Sequence, residues 1–302
     1  MAVIHIQGLH KSYGRRVALR GFDSTVNKGE IYGFLGPNGA GKTTTIKIIM
    51  GLLKPDRGTV RVNGMDVVRE GYSVRKGMGY LPERVAFYED MTVEENMDYL
   101  CKLKGCSTDR VIPLLEEFRI GASPDTKVKS LSKGMVQRLG LAQTLIGDPD
   151  LLILDEPTSG LDPEMRRWVK NRIVTLRDEG KTIFLSSHVL SEVQEMCDRV
   201  GIISQGRMVQ EDRVDALGDR LHMGHRLEIS VSEPGRALGV VEDLDLVWDP
   251  RIEHGVLVLY CRGEDKMRII KHLMDAGFNV GDFRHREPDL EEVFVRLTEG
   301  DP

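Results

Sequence analysis

The feature that most restricts how this chain can fold is a glycine-rich loop between a short apolar segment and a helix-forming segment. Residues 36–43 read Gly-Pro-Asn-Gly-Ala-Gly-Lys-Thr and match the pattern G-x-x-x-x-G-K-[ST] in full. The apolar residues 31–35 predict a buried strand, and residues 44–50 can open a helix. Because glycines let backbone N–H groups close around phosphate oxygens at a helix N-terminus, this order of segments predicts a phosphate-binding loop in an α/β fold.

The chemistry of such a loop assigns roles to its polar residues. Lys42 is expected to reach the β- and γ-phosphates of a nucleotide, and Thr43 to offer its hydroxyl group to Mg²⁺. The alternative, a glycine-rich turn that binds nothing, is disfavoured by the complete motif and its setting. The residues predicted to contact the nucleotide here are Gly36, Asn38, Gly39, Ala40, Gly41, Lys42, Thr43 and Thr44.

A second block places two adjacent carboxylates after an apolar run. Residues 151–154 read Leu-Leu-Ile-Leu and are followed by Asp155, Glu156 and Pro157, which suits a buried strand that delivers both carboxylates to its tip. Mg²⁺ prefers oxygen ligands and keeps several waters, and a carboxylate not used by the metal can accept a proton from water. The alternative, two carboxylates that cap a following helix, is weakened by the apolar run and by Pro157.

Three further segments complete an ordered set of motifs. Tyr13 lies in a Lys-Ser-Tyr-Gly sequence upstream of the loop, residues 131–135 read Leu-Ser-Lys-Gly-Met, and the predicted strand 182–187 is followed by His188. With these motifs in this order, residues 1 to about 215 resemble the ATP-binding subunits of ABC transporters.

The resemblance implies roles for the residues around the nucleotide. Asp155 would hold Mg²⁺ through its water shell, Glu156 would be the general base and His188 would contact the γ-phosphate. Tyr13 would stack on the adenine ring. The alternatives are a strand-edge tyrosine and a structural histidine. However, His188 follows a predicted parallel strand, whose end is where ligands bind in such sheets.

The Leu-Ser-Lys-Gly-Met turn occupies the place of the family signature, usually Leu-Ser-Gly-Gly-Gln, with Lys133 and Met135 as departures. The resemblance implies that Ser132 and Gly134 contact ATP held by the phosphate loop of a second copy of the chain. It also implies that Asp162 lies in the loop by which the two sites of that dimer sense each other.

Glu83 stands where these ATPases usually carry a glutamine that touches Mg²⁺ and the attacking water. Our hypothesis is that Glu83 is a metal-sensing residue that couples the site to a membrane partner, and we count it with Glu156 and His188 as catalytic. Residues 87–96 correspond to the region that receives the partner's coupling helix in relatives. An ordinary helix start, with Thr92 and Glu95 as its capping box, is equally compatible with this stretch.

Composition limits the other possibilities. A net charge of −5 argues against nucleic acid as a partner, and no apolar run approaches the about 18 residues that span a bilayer. The chain begins without a secretory signal pattern, and its four cysteines lack disulfide or metal-site spacing, so we expect reduced thiols. The expected location is the cytoplasmic face of the cell membrane, as a peripheral subunit.

The predicted fold is α/β: a P-loop NTPase core with an antiparallel β subdomain and a helical subdomain at residues 1–215, plus a small C-terminal α+β domain of the ferredoxin-like kind at 222–302. Val60 to Gly64 predicts a strand and hairpin turn, and Ser191 to Gln194 a capping box. In the acidic tail, residues 227–231 and 256–260 predict strands and 265–276 a helix. An apolar helical stripe is predicted at Leu290, Val293, Phe294 and Leu297.

The leading hypothesis is the ATPase subunit of an ABC exporter, working with ATP, Mg²⁺, separate membrane permease subunits and a second copy of itself in an ATP-sandwich homodimer. One alternative is a soluble ABC ATPase that acts on nucleic acid or ribosomes, although such proteins usually carry two cassettes in one chain. The other is an ATPase for metallocofactor assembly. Both the Leu-Pro-Glu stretch at Glu83 and the Ser-Lys-Gly-Met turn resemble the copper-site maturation systems of nitrous oxide reductase.

Overall fold

The computed structural model describes residues 1–120, 125–215 and 225–286. The chain divides into two compact units, Met1–Asp212 and Arg213–Pro302. The helical stripe predicted from Leu290 to Leu297 lies outside the described residues, as does most of the boundary predicted between Val214 and Gly224.

The first part of the chain is an α/β assembly whose elements alternate along the sequence. Its strands are β1 (Ala2–Tyr13), β2 (Arg16–Asn27), β3 (Ile31–Leu35), β4 (Arg57–Val62), β5 (Met65–Asp66), β6 (Met78–Leu81), β7 (Leu151–Asp155), β8 (Thr182–Ser187), β9 (Arg199–Ser204) and β10 (Arg207–Arg213). Its helices are α1 (Lys42–Ile49), α2 (Gly71–Lys76), α3 (Val93–Lys104), α4 (Val111–Glu117), α5 (Lys133–Thr144), α6 (Pro163–Asp178) and α7 (Leu190–Met196), with a 3₁₀ turn at Val128–Ser130.

The core is a six-stranded sheet with the order β10-β9-β3-β8-β7-β6. The pairs from β9 to β6 are parallel, and every residue of β3, β7 and β8 is buried, as expected for apolar strands covered on both faces. In this register Leu35 lies beside Ser187, and Asp155 lies beside Ser186. The carboxyl ends of three buried strands therefore meet at one edge, with the predicted site residues in the loops that follow.

A second, four-stranded sheet with the order β2-β1-β4-β5 forms the predicted antiparallel β subdomain. The turn between β4 and β5 has positive φ angles at Asn63 and Gly64, 50° and 80°, which confirms the predicted hairpin. A buried polar contact joins the two sheets, because the hydroxyl groups of Ser24 and Tyr32 lie 2.9 Å apart. Burial and the nearby Glu211 carboxylate raise the pKa of Tyr32 well above its ordinary value.

Helices α3, α4 and α5 lie within the stretch predicted as a helical subdomain. The predicted capping box of α3 is confirmed: the Glu95 N–H donates to the Thr92 hydroxyl at 3.1 Å, and the Thr92 N–H donates to the Glu95 carboxylate at 2.8 Å. The capping box predicted at Ser191 is wrong. Helix α7 begins one residue earlier, at Leu190, without a side-chain cap, and the Ser187 hydroxyl accepts from the Val189 N–H instead.

The described part of the second unit contains β11 (His225–Val231), α8 (Pro234–Glu242), β12 (Val247–Glu253), β13 (Val256–Cys261), α9 (Lys266–Asp275) and β14 (Val280–Arg286). The strands and helix predicted for this stretch are confirmed by β11, β13 and α9. The antiparallel order β12-β13-β11-β14 and the β-α-β-β-α-β sequence are those of a split βαβ arrangement. A ferredoxin-like domain for the whole tail stays a prediction, because residues 287–302 are outside the described part.

Replacing Phe184 tests how much the aromatic core contributes to the stability of the parallel sheet. Its ring is 1% exposed and lies 5.7 Å from the Tyr32 ring and 5.5 Å from the Phe34 ring. Phe184→Ala is expected to lower the free energy of unfolding of the first unit by about 3–5 kcal/mol, because a cavity remains. Denaturant titration with Tyr72→Ala as the control, an exposed site expected to change it by less than about 0.5 kcal/mol, checks this. Equal effects at both positions would contradict it.

Candidate functional site

A cleft of about 570 Å³ opens at the carboxyl edge of the parallel sheet. Most of the predicted nucleotide and catalytic residues line it, although they come from distant parts of the sequence. The lining residues are Tyr13, Arg16, Ala18, Pro37, Asn38, Gly39, Gly41, Lys42, Thr43, Thr44, Glu83, Glu156, Ser159 and His188.

The glycine-rich loop is held in shape by close backbone packing. A side-chain carbon at Gly36 would come within 2.4 Å of the Ile203 carbonyl oxygen. Gly41 has φ 116°, and a carbon there would come within 2.6 Å of Leu19. Both positions therefore require glycine, while Asn38 at the loop tip is exposed to a ligand. Ala40 of the loop is buried beneath it.

Lys42 lies at the start of α1 with a buried side chain. Its Nζ donates to the Gly36 carbonyl at 2.6 Å and lies 3.2 Å from the Glu156 Oε1 atom. Thr43 is exposed and Thr44 half-buried at the same helix start, where backbone N–H groups and the helix dipole favour an anion. The cationic side chain, the N–H groups and the hydroxyl groups suit a chain of phosphates.

Asp155 and Glu156 are joined through Ser186 on the neighbouring strand. The Ser186 hydroxyl donates to Asp155 Oδ1 at 2.6 Å and accepts from the Glu156 N–H at 3.0 Å. Burial raises the pKa of Asp155, the hydrogen bond from Ser186 opposes this, and the Glu156 and Glu83 carboxylates raise the pKa further. A cation placed beside Asp155 would relieve this excess of negative charge.

This donor set fits Mg²⁺. Among the described residues, no three histidine, cysteine, aspartate or glutamate side chains form a group that could hold a metal ion. Mg²⁺ does not need such a cage, because one or two protein oxygens with waters and substrate phosphates suffice. The Asp155 carboxylate and the Thr43 hydroxyl are the oxygens that would hold it.

Glu156 is fixed between two nitrogen groups. Its Oε2 atom lies 2.8 Å from His188 Nδ1, and its Oε1 atom faces Lys42. Because an ionised carboxylate only accepts hydrogen bonds, Nδ1 carries the proton in this contact. The backbone of Glu156 has φ 50°, a conformation that costs free energy for a residue with a side chain and recurs at functional sites.

Glu83 lies at the exposed rim of the cleft, on the segment after β6. Burial, then the charges of Asp155 and Glu83, raise the pKa of Tyr80 to about 12. Both carboxylates therefore act on the same tyrosine, and Glu83 also raises the pKa of Asp155. The charge of Glu83 therefore acts on Asp155, the residue predicted to hold the metal.

Six predicted residues do not line the cleft of their own chain. Gly36, Ala40 and Asp155 are buried, in the phosphate loop and at the end of β7, and the other three lie at the starts of α5 and α6. The Ser132 hydroxyl accepts from the Met135 N–H at the start of α5, Gly134 lies against Met165, and the Asp162 carboxylate caps α6 by accepting from the Met165 N–H at 2.9 Å. The sequence interpretation missed Ser186. Two serines, Ser186 and Ser187, end an apolar run just before His188, and this polar end of the strand is the signal that could have identified it.

A protein family and several known proteins are similar in sequence to this chain. The family model described as ABC transporter matches residues 19–159. The daunorubicin resistance ATP-binding protein DrrA3 of Streptomyces coeruleorubidus is 35% identical over 306 residues, covering 99% of this chain and 96% of that protein. The Nod factor export ATP-binding protein I of Rhizobium etli is 36% identical over 303 residues, covering 99% and 94%.

Among solved structures, the fold is similar to that of an ATP-binding cassette determined as a dimer in a post-hydrolysis state with ADP and phosphate. The TM-score is 0.64 at 23% sequence identity, and the match covers 70% of this chain and 98% of the other. At this identity the likeness concerns the fold.

Ser186 provides a direct test of the carboxylate geometry. Because its hydroxyl group lowers the pKa of Asp155, Ser186→Ala is expected to raise the pH at which that carboxyl group titrates. Carbon-13 NMR of labelled aspartate carboxyl groups during a pH titration measures this. Ser187→Ala is the matched control, because that hydroxyl group forms hydrogen bonds with the backbone of Val189 and not with Asp155. An unchanged Asp155 titration in Ser186→Ala, or an equal shift in the control, would refute the assignment.

Proposed function

The chain belongs to the ATP-binding subunits of ABC transporters, and from this we propose that it is the ATPase of an exporter whose membrane permeases are separate chains. The observation that carries the export proposal is similarity along nearly the whole chain. The family model covers only residues 19–159, whereas the proteins named for daunorubicin resistance and Nod factor export match 99% of the chain, including the second unit. The similarity thus extends beyond the part common to ABC ATPases.

In the proposed mechanism, Lys42 controls the availability of Glu156. Its ammonium group contacts the Glu156 carboxylate at 3.2 Å, and bound β- and γ-phosphates would draw that cation toward themselves. Glu156 is then free to accept a proton from the attacking water, while His188 keeps its other oxygen in place at 2.8 Å. Tyr13, at the exposed end of β1, would cover the adenine ring.

Mg²⁺, when bound, would neutralise charge on the transferred phosphate. Asp155 is ready for this role because Ser186 orients its carboxylate. Glu83 would sense the cation from the rim of the cleft, since its charge already acts on Asp155.

A second copy of the chain would complete each site. Ser132, Gly134 and Asp162 lie outside the cleft of their own chain, so in a single chain they do not share a surface with the nucleotide. A two-fold dimer would bring these residues to the cleft of the partner copy, with two ATP molecules sandwiched between the chains. The dimeric cassette of similar fold supports this arrangement.

The permease would dock on a groove of about 660 Å³ beside the helical subdomain. The exposed Tyr88 and Leu103 side chains line the groove, and Tyr88 packs edge-on against Tyr99 with ring centres 5.4 Å apart. This surface overlaps residues 87–96, the stretch predicted to receive a coupling helix. The proposed location is therefore the cytoplasmic face of the membrane.

No helix in the described ranges is long and apolar enough to cross a membrane. The names of the relatives favour export over metallocofactor assembly or a soluble role. The partner that copurifies from membranes decides between these functions: a permease alone supports export, a copper-handling protein supports assembly, and ribosomes support the soluble role.

Glu156→Gln tests the hydrolytic role. The amide keeps the size of the side chain but cannot accept the proton, so ATP turnover is expected to fall by about 10²–10⁴-fold. Because ATP still binds, the variant is expected to accumulate as an ATP-dependent dimer in size-exclusion chromatography. Lys42→Ala is the comparison: it should lose nucleotide affinity and form no such dimer. Undiminished turnover in Glu156→Gln would refute its role as base.

Replacing Glu83 tests whether a partner in the groove influences ATP hydrolysis in the cleft. Glu83 lines the cleft, while its neighbours Pro82 and Val85 line the groove, so a partner seated in the groove would displace this carboxylate. Glu83→Ala is expected to lower basal ATPase activity several-fold and to abolish stimulation by the permease, measured in reconstituted membranes. Glu116→Ala, an exposed glutamate of α4 that lines neither the cleft nor the groove, is the control. Unchanged basal and stimulated rates in Glu83→Ala would end the hypothesis.

A further inference from the structure

Lys133, one of the two departures in the signature turn, makes a specific contact inside its own chain. Its Nζ donates to the Gly160 carbonyl oxygen at 2.6 Å. Gly160 belongs to the loop of residues 157–161 that directly follows Glu156. An exposed lysine at the start of α5 thus holds the segment that leads out of the catalytic strand.

A second bond from the same face of α5 reaches the same loop. Gln137 lies four residues after Lys133, one helical turn away, and its Nε2 donates to the Pro157 carbonyl at 2.8 Å. The two bonds hold the carbonyl groups near both ends of the loop. A third hydrogen bond reaches this loop from α7, because the Thr158 hydroxyl donates to the buried carboxylate of Glu192.

The backbone of the loop is shaped to present the Gly160 carbonyl to this lysine. Gly160 has φ 66°, and a side-chain carbon there would lie 2.6 Å from Lys133 Nζ. A left-handed glycine and a long cation therefore occupy complementary positions. A glycine in place of Lys133, as in the usual signature, could not form the bond.

We infer that Lys133 is a positioning residue for hydrolysis, which ties the signature turn to the loop after Glu156 in the same chain. The inference rests on the proposed two-chain site, in which Ser132 and Gly134 face the nucleotide of the partner copy. When Ser132 and Gly134 contact the partner's nucleotide, Lys133 moves with the rest of the turn. Through its hydrogen bond to Gly160, Lys133 then sets the position of residues 157–161. Closure at one nucleotide is thereby transmitted to the general base of the other.

The experiment compares ATPase kinetics of Lys133→Met with those of Lys129→Met. Lys129 is a nearby exposed lysine that pairs with Asp90 at 2.8 Å, so the control removes the same charge elsewhere. Lys133→Met is expected to lower kcat about three- to tenfold, the effect of losing one hydrogen bond. The affinity of the single chain for ADP is expected to stay unchanged, because the Lys42 cleft is intact. Lys133→Arg, which keeps a cationic donor, is expected to recover most of kcat.

The inference is overturned if Lys133→Met and Lys129→Met have the same kcat. It is also overturned if Lys133→Met lowers the ADP affinity by the same factor as kcat, or if its lower kcat is accompanied by a lower melting temperature. Failure of the proposed function would look different. In that case the unmodified chain would not hydrolyse ATP, or Glu156→Gln would not dimerise with ATP, whatever residue stands at position 133.

Discussion

The contact between Lys42 and Glu156 joins the two strand ends on which the site is built. Lys42 follows β3 through the phosphate loop, and Glu156 follows β7, while β8 lies between these strands in the sheet. The contact is possible only because all three strands are parallel and end at the same edge. Both side chains are largely buried, so neither charge is easily stabilised by water alone, and each charge offsets the other.

The surroundings of that pair contain only some of the residues predicted to act on the nucleotide. The cleft gathers the phosphate loop, Glu156, His188 and Glu83, whereas the signature turn and Asp162 do not line it. Two hydrogen bonds connect the first turns of α5 to the loop that follows Glu156: Gln137 donates to the Pro157 carbonyl and Lys133 to the Gly160 carbonyl. The turn that we propose a second copy contacts is therefore connected to the segment that follows Glu156.

The sequence predicted those candidate site residues that lie at the end of a buried strand or directly after it. The phosphate loop, the acidic pair and His188 share this property, and an apolar run with a polar end is visible without coordinates. Ser186 was missed because its role depends on which residue of β8 lies beside Asp155, and a register between strands far apart in sequence leaves no local pattern. The Lys133 contact was missed for a similar reason. The capping box at Ser191 was wrong because the Ser187 hydroxyl group, at the end of β8, accepts a hydrogen bond from the Val189 N–H before α7.

The central claim is that ATP held in the cleft of one chain is contacted by the signature turn of another. Disulfide cross-linking between two variants measures this directly: Asn38→Cys places a thiol on the exposed tip of the phosphate loop, and Ser132→Cys places one on the turn. Each is combined with Glu156→Gln, and the two proteins are mixed. The account predicts a cross-linked pair of chains that forms with ATP and not with ADP. An absence of ATP-dependent cross-linking between the chains would contradict it.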